Sequence, residues 1–172
     1  MKNRFFVGLI AGVALTIVLI IVGAYVYFAQ GFAPVATSSR PMPFEKALAR
    51  LGLHAALHKQ KLQTPPIEAS EKNLLAGAMV YQDNCAVCHG TLGGTKTAIA
   101  QGMFPPPPQL FRGKGVTDDP PGETYWKVAN GIRLTGMPGF GKTLKDHQLW
   151  QVTLLLAHTN ALPASVTNAL AE

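Results

Sequence analysis

The sequence predicts an all-α protein in which one N-terminal transmembrane helix precedes one small helical domain. Three observations predict this class. Residues 5–28 carry no charge and are almost entirely apolar. Apolar side chains recur at helical spacing ahead of residue 85 and again over residues 144–159. At 172 residues, the chain has room for only one small domain once its two ends are set aside.

The uncharged N-terminal segment is long enough to cross a bilayer. As a helix, residues 5–28 would span about 36 Å, against a hydrocarbon core of about 30 Å. A cleaved signal peptide is the competing interpretation, but its apolar region usually has only about 7 to 15 residues. We therefore predict a retained anchor over residues 1–28. Lys2 and Arg4 precede it while Arg40 and Lys46 follow it, so the distribution of positive charge does not fix its orientation.

Residues 29–69 are predicted to be a tether with one short helix. Two proline-rich breaks enclose residues 44–62, whose apolar side chains fall on one helical stripe. The stripe consists of Phe44, Ala47, Leu48, Leu51, Ala55 and Leu62. Such a basic amphipathic helix either contacts lipid headgroups or a partner, or is a solvated spacer. A domain over residues 70–163 and a C-terminal tail over residues 164–172 complete the predicted organisation.

The positive charge is concentrated at the front of the chain. Residues 1–69 hold seven Lys/Arg and two Asp/Glu, whereas residues 70–172 hold eight and seven. A nucleic-acid-binding domain would need a basic patch on its folded part. The nearly neutral second portion argues against that class of function.

The two cysteines of the chain, Cys85 and Cys88, are directly followed by His89. A disulfide between them would close a very small loop, and a structural zinc site would need further ligands at suitable spacing. A thioredoxin-like dithiol would lie between a strand and a helix, whereas helical spacing precedes this motif, with Ser70 as a plausible N-cap. The remaining interpretation is covalent haem attachment. Two thiols one helical turn apart form thioethers with one porphyrin, and the histidine binds its iron.

A methionine is predicted to bind the opposite face of the iron. Met137 follows Gly136 and precedes Pro138, which disfavours helical geometry at the methionine, so its thioether lies on an extended loop. Met103 is the competing candidate, although it is more easily interpreted as a packing residue. If neither methionine binds iron, His147 or His158 becomes the candidate.

Residues 70–162 resemble the class I cytochromes c, specifically bacterial membrane-anchored single-haem forms. The matching features are Gly77 and Tyr81, "CAVCHG", "FPPPPQLF", "ETYWKVANGIRLTGMPGF" and the final segment "LKDHQLWQVTLLLAHT". The resemblance implies a cytochrome c-like helical domain around one haem, in which the helix before the haem motif packs against the last helix. It also implies that a carbonyl among residues 105–108 accepts the imidazole N–H.

The last helix has its own pattern of apolar side chains and a capping signal. Leu149, Val152, Leu155 and Leu156 define its apolar face, with Trp150 as a further candidate, and Thr143 precedes Asp146 by three residues as a capping signal.

The resemblance implies an electron carrier rather than an enzyme. One covalent haem c would be held by Cys85, Cys88, His89 and Met137, on the periplasmic side of the bacterial cytoplasmic membrane. Its partners would be redox proteins, with no small-molecule substrate. Three alternatives remain: a haem-based sensor or gas-binding module, a cytochrome subunit of a larger dehydrogenase or oxidase complex, and a non-haem protein that uses the cysteines as a redox dithiol.

Overall fold

A computed structural model of the protein describes residues 2–171, and all the regular secondary structure in that range is helical. The predicted all-α class is therefore confirmed. The helices are α1 (Lys2–Ala29), α2 (Glu45–His58), α3 (Glu71–Asn84), α4 (Ala86–His89), α5 (Ala98–Gly102), α6 (Pro121–Asn130), α7 (Asp146–Ala157) and α8 (Ala164–Ala171).

The contacts of the chain separate it into two compact units, one ending at Lys46 and one beginning at Ala47. Helix α1 belongs to the first unit. Within residues 2–171 it is the one helix long and apolar enough to cross a membrane, with a span of 27 residues, Asn3–Ala29, and a mean hydropathy of 3.0. Its apolar side chains are exposed along the whole length. An N-terminal signal sequence is apolar as well, so the span by itself identifies a candidate anchor.

Helix α2 lies within the predicted segment 44–62. Its buried side chain is Leu57, whereas Phe44, Leu48 and Leu51 of the predicted stripe are exposed. These three side chains therefore form an exposed apolar surface, and the helix packs through the side that carries Leu57.

The core of the second unit is centred on the crossing of α3 and α7. Ser70 caps α3 as predicted, because its hydroxyl accepts a hydrogen bond from the Asn73 backbone N–H. The two helices meet at Gly77, where an added Cβ would overlap the Gln151 carbonyl oxygen and lie 3.2 Å from Leu155 Cβ. Glycine is required at this position because the helix backbones approach each other so closely.

Helix α7 buries the predicted apolar face and Trp150, but it begins later than the capping signal indicated. The prediction that Thr143 caps the helix is wrong. Thr143 belongs to a preceding turn, in which its hydroxyl donates to the Phe140 carbonyl at 3.2 Å. The backbone N–H of Lys145 is satisfied by Gln148 Oε1 at 3.0 Å, and the helix starts at Asp146.

Helices α6 and α8 complete the second unit. The Tyr125 ring of α6 stacks on Trp150 of α7 with centroids 4.2 Å apart. Helix α8 occupies the segment predicted as a tail; Val166 and Leu170 are buried, and Gln82 of α3 donates to the Ala169 carbonyl at 2.6 Å. No helix is predicted from the sequence for this segment.

Candidate haem site

Cys85, Cys88 and His89 lie on one turn that follows directly from α3. Cys85 keeps helical backbone angles, and its carbonyl accepts hydrogen bonds from the backbone N–H groups of both Cys88 (3.1 Å) and His89 (2.9 Å). Both cysteines are half-buried free thiols. The turn therefore presents two thiols and one imidazole from a short, hydrogen-bonded piece of backbone.

The orientation of the His89 imidazole is fixed by a hydrogen bond to the Pro108 carbonyl. Its Nδ1 lies 2.8 Å from the carbonyl oxygen of Pro108. A carbonyl only accepts hydrogen bonds, so Nδ1 carries the proton and Nε2 keeps a free lone pair. Burial lowers the pKa of His89 from its ordinary value, while the bond to Pro108 acts in the opposite direction. A neutral imidazole whose Nδ1–H is held by a carbonyl is the form in which histidine binds metals through Nε2.

Three side chains from outside the motif hold the carbonyls of the turn. Tyr81 donates its buried hydroxyl to the Gly90 carbonyl at 2.6 Å, and Thr97 donates to the Val87 carbonyl at 2.5 Å. Gln109 makes a longer hydrogen bond of 3.4 Å to the Cys88 carbonyl. Tyr81 is one of the residues that carry the family resemblance, whereas nothing in the local sequence relates Thr97 and Gln109 to residues 87 and 88. The turn is braced by the domain as well as by its own helix.

The environment of Cys85 does not favour a reactive thiolate. Burial, and to a smaller degree the proximity of Cys88, raises the pKa of Cys85 to about 12. Reactive cysteines and redox dithiols have a pKa well below the ordinary value of about 8.5. At neutral pH, Cys85 is therefore a protonated, half-buried thiol.

Met137 lies on a loop that is folded back on the end of α6. We call residues 131–141 the distal loop. It begins at Gly131 with a φ of +69°, where glycine avoids the strain of the left-handed region. The Met137 carbonyl accepts from Ile132 N at 3.2 Å, and its N–H donates to Thr135 Oγ1 at 3.1 Å.

The far end of the distal loop is also tied to α6. The backbone N–H groups of Phe140 and Gly141 donate to the backbone carbonyls of Val128 and Ala129, respectively, both at 2.9 Å. The backbone at Met137 is thus held on both sides by hydrogen bonds.

The structure brings the two halves of the predicted site to the same core. Cys85 and Met137 are both partly buried against the apolar cluster that contains Tyr81 and Leu149. Met103 is half-buried at the end of α5 and contacts the distal loop. His147 is exposed on the first turn of α7, and His158 places its Nδ1 2.8 Å from the Leu154 carbonyl.

The donor set suits haem c. Two unoxidised thiols on one turn provide thioether attachment, and His89 offers a free Nε2 while its other nitrogen is hydrogen-bonded. Met137 provides a soft thioether from a loop that packs on the same core. Among residues 2–171, no cluster of three or more His, Cys, Asp and Glu side chains forms a separate metal site.

Comparisons with known proteins agree with this chemistry. Residues 72–155 match the family described as cytochrome c oxidase, cbb3-type, subunit III. The chain is 32% identical over 80 residues to cytochrome c6 of Limnospira maxima, an alignment that covers 46% of this chain and 85% of that protein.

A solved structure is also similar. It is a chain of a reducing HAO-like protein complex from Kuenenia stuttgartiensis, with a TM-score of 0.50 and 26% sequence identity. The match covers 58% of this chain but only 49% of that chain, so this protein spans about half the length of its structural relative.

The alignment with cytochrome c6 extends over most of that protein, at an identity of 32%. The chain therefore belongs to the class I c-type cytochromes, which hold covalently attached haem c and carry electrons.

Proposed function

We propose that this protein is a membrane-anchored carrier of single electrons with one haem c on the periplasmic side of the bacterial cytoplasmic membrane. Cys85 and Cys88 would form the two thioether bonds, and His89 and Met137 would bind the iron. The observation that carries the proposal is the hydrogen bond from His89 Nδ1 to Pro108, because it orients an imidazole with a free Nε2 directly beside two free thiols.

The geometry favours electron transfer over catalysis. Haem c supplies an iron that cycles between two oxidation states. With His89 and Met137 as its ligands, no position remains for a substrate. Both ligands are carried by backbone that is hydrogen-bonded on each side, which limits movement of the site when the charge changes. Methionine opposite histidine raises the reduction potential.

The N-terminal helix supports the proposed anchor. Its 27-residue apolar span exceeds the length of a signal-peptide apolar region, and its apolar side chains are exposed for contact with lipid. We propose an anchor over residues 1–28, a tether over 29–69, a cytochrome domain over 70–163 and a C-terminal segment over 164–172, whose helix α8 packs on that domain.

Fractionation of cells tests the anchor. The full-length protein should remain with the membranes after a high-salt wash and should retain its original N-terminus. A soluble protein with a new N-terminus near Ala33 would identify a cleaved signal peptide instead.

We propose redox proteins as the partners, docking through a small and transient interface near the haem. Arg112, Lys114, Arg133 and Lys142 are exposed, with Lys114 3.5 Å from Asp118 and Arg112 hydrogen-bonded to the Gly94 carbonyl. If these charges steer the encounter, the rate of electron transfer to an acidic partner should fall as the salt concentration rises.

A stable subunit of a larger oxidoreductase complex is the second candidate. It is favoured because the matching family is named for an oxidase subunit and the similar solved chain comes from a protein complex. Gentle detergent extraction followed by native size analysis distinguishes the two. A carrier should migrate alone with its detergent, whereas a subunit should migrate with other polypeptides.

The intact mass and oxidised absorption spectrum of the purified full-length protein test the site. We expect the mass of the polypeptide plus one haem, and a methionine–iron charge-transfer band in the oxidised spectrum. A bare polypeptide with two free thiols would favour the redox-dithiol alternative.

A further inference from the structure

One segment of the chain contacts both halves of the candidate haem site. We call residues 103–108 the proline segment. At its end, the Pro108 carbonyl holds the imidazole of His89. At its start, the side chain of Met103 lies on Gly136, the residue that directly precedes Met137. A short stretch containing four consecutive prolines therefore reaches from the proximal histidine to the loop of the opposite ligand.

The contact between Met103 and Gly136 is close. A Cβ added at Gly136 would overlap the Met103 methyl group, Cε, and lie 3.6 Å from the sulfur. The φ of Gly136 is outside the left-handed region, so the backbone itself does not demand glycine here. Glycine at this position provides the space that the end of the Met103 side chain fills.

The backbone next to Met137 is otherwise held by local hydrogen bonds. Thr135 Oγ1 accepts from Met137 N and also donates to the Ile132 carbonyl at 2.7 Å. These bonds fix the turn internally. Leu134, at the tip of the same turn, has a φ of +62° and is 89% exposed, so its side chain anchors nothing. The contact with Met103 ties this turn to a different segment of the domain.

We propose that Met103 is a positioning residue for the sixth iron ligand: its side chain packs on Gly136 and holds the distal loop so that the Met137 thioether stays on the iron. This role rests on the proposed ligation by Met137. It differs from the alternative that Met103 itself binds the iron, because it requires the volume of the side chain and not the sulfur atom. Leucine should therefore replace Met103 with little loss, since the two side chains have similar volumes.

The test is the rate at which carbon monoxide displaces the sixth ligand of the reduced full-length protein. Met103→Ala removes the packing contact, so the thioether should leave the iron more often. We expect carbon monoxide to bind about tenfold faster than in the native protein, the factor that corresponds to about 1.4 kcal/mol in a barrier. The oxidised protein should keep its charge-transfer band at reduced intensity. Met103→Leu is the matched control and should behave like the native protein in both measurements.

Gly136→Ala examines the same contact without truncating the Met103 side chain. The added methyl group displaces only the flexible end of Met103, so the variant should fold and should also bind carbon monoxide faster. Combined with Met103→Ala, the added methyl group enters vacated space, and the double variant should be slower to bind carbon monoxide than Met103→Ala alone. Such non-additivity is expected only of residues that touch or share a cavity.

The outcomes separate this inference from the ligand assignment. Unchanged binding in both Met103→Ala and Gly136→Ala would overturn the positioning role while Met137 remains the ligand. Loss of the band in Met103→Leu, with the band retained in Met137→Leu, would overturn both by making Met103 the ligand. Additive effects of Met103→Ala and Gly136→Ala in the double variant would show that the contact does not carry the effect.

Discussion

The two halves of the haem site are built from different kinds of structure. The proximal half, Cys85 to His89, continues directly from α3 and is braced by Tyr81 and Thr97 from outside the motif. The distal half is a glycine-rich loop held by backbone hydrogen bonds to the end of α6. In the proposed site, the two halves therefore have different roles. The proximal half would attach the cofactor covalently, whereas the distal half would bind the iron through a bond that loop movement can break.

The largest effect should follow from removing the attachment itself. In Cys85→Ala/Cys88→Ala, both thioether donors are absent, so we expect complete loss of covalent haem. Intact mass of the denatured protein is the measurement, and native protein from the same host is the control. A double variant that still carries haem covalently would contradict the assignment of these cysteines.

Removing the distal ligand should leave attachment intact. In Met137→Ala, Cys85, Cys88 and His89 are unchanged, so the mass should still include one haem. The charge-transfer band should disappear, and the reduction potential should fall by at least about 0.1 V, a small part of the roughly 0.8 V over which axial ligands move haem potentials.

His147→Ala and His158→Ala serve as controls for Met137→Ala and should keep both the band and the potential. If the band survives in Met137→Ala and is lost in one of these histidine variants, the distal half has been assigned to the wrong residue.

Helix α3, which supports the proximal half, should lose stability when its backbone is forced away from that of α7. In Gly77→Ala, the new methyl group meets the Gln151 carbonyl, so α3 and α7 must move apart. Overpacking of this kind costs about 1 to 3 kcal/mol of the free energy of unfolding. Denaturant unfolding of the haem-loaded protein is the measurement. Gly102→Ala is the matched control, because nothing lies within 4 Å of its added methyl group, and it should change stability by less than about 1 kcal/mol.

The smallest effect should come from the N-cap of the same helix. Ser70→Ala removes the hydroxyl that accepts from Asn73 N, and loss of such a cap costs about 1 kcal/mol. Ser70→Asp keeps an acceptor at the cap and should be near the native stability. The potential should not change in either variant, since neither touches the distal loop. A shifted potential in Ser70→Ala would show that the two halves are more strongly coupled than their separate construction suggests.

The sequence predicts the proximal half better than the distal half. The motif of Cys85, Cys88 and His89 is contiguous, and its chemistry depends on local spacing, so it is visible without a structure. The hydrogen-bond partner of His89 is harder to predict from the sequence. Four consecutive prolines offer four carbonyls, and only the path of the backbone selects Pro108. The contact of Met103 with Gly136 joins residues 33 positions apart and has no local signal.

The elements of the fold show the same limit. Helices α3 and α7 carry apolar side chains at helical spacing, so the sequence predicts both helices and the buried Trp150. Helix α8 has eight residues, and the burial of Val166 and Leu170 depends on its position in the second unit. Thr143 has the spacing of a helix cap, yet its hydroxyl donates to the Phe140 carbonyl in the preceding turn. The helix itself begins at Asp146.

The central claim is that protein side chains fill both axial positions of the iron. The most direct test is the absorption spectrum of the reduced, full-length native protein before and after addition of carbon monoxide. The account predicts no prompt spectral change, because Met137 occupies the position that carbon monoxide would take. An immediate change to the spectrum of a carbon monoxide complex would contradict the account, since it would show an open iron position and favour a gas-binding or sensing function.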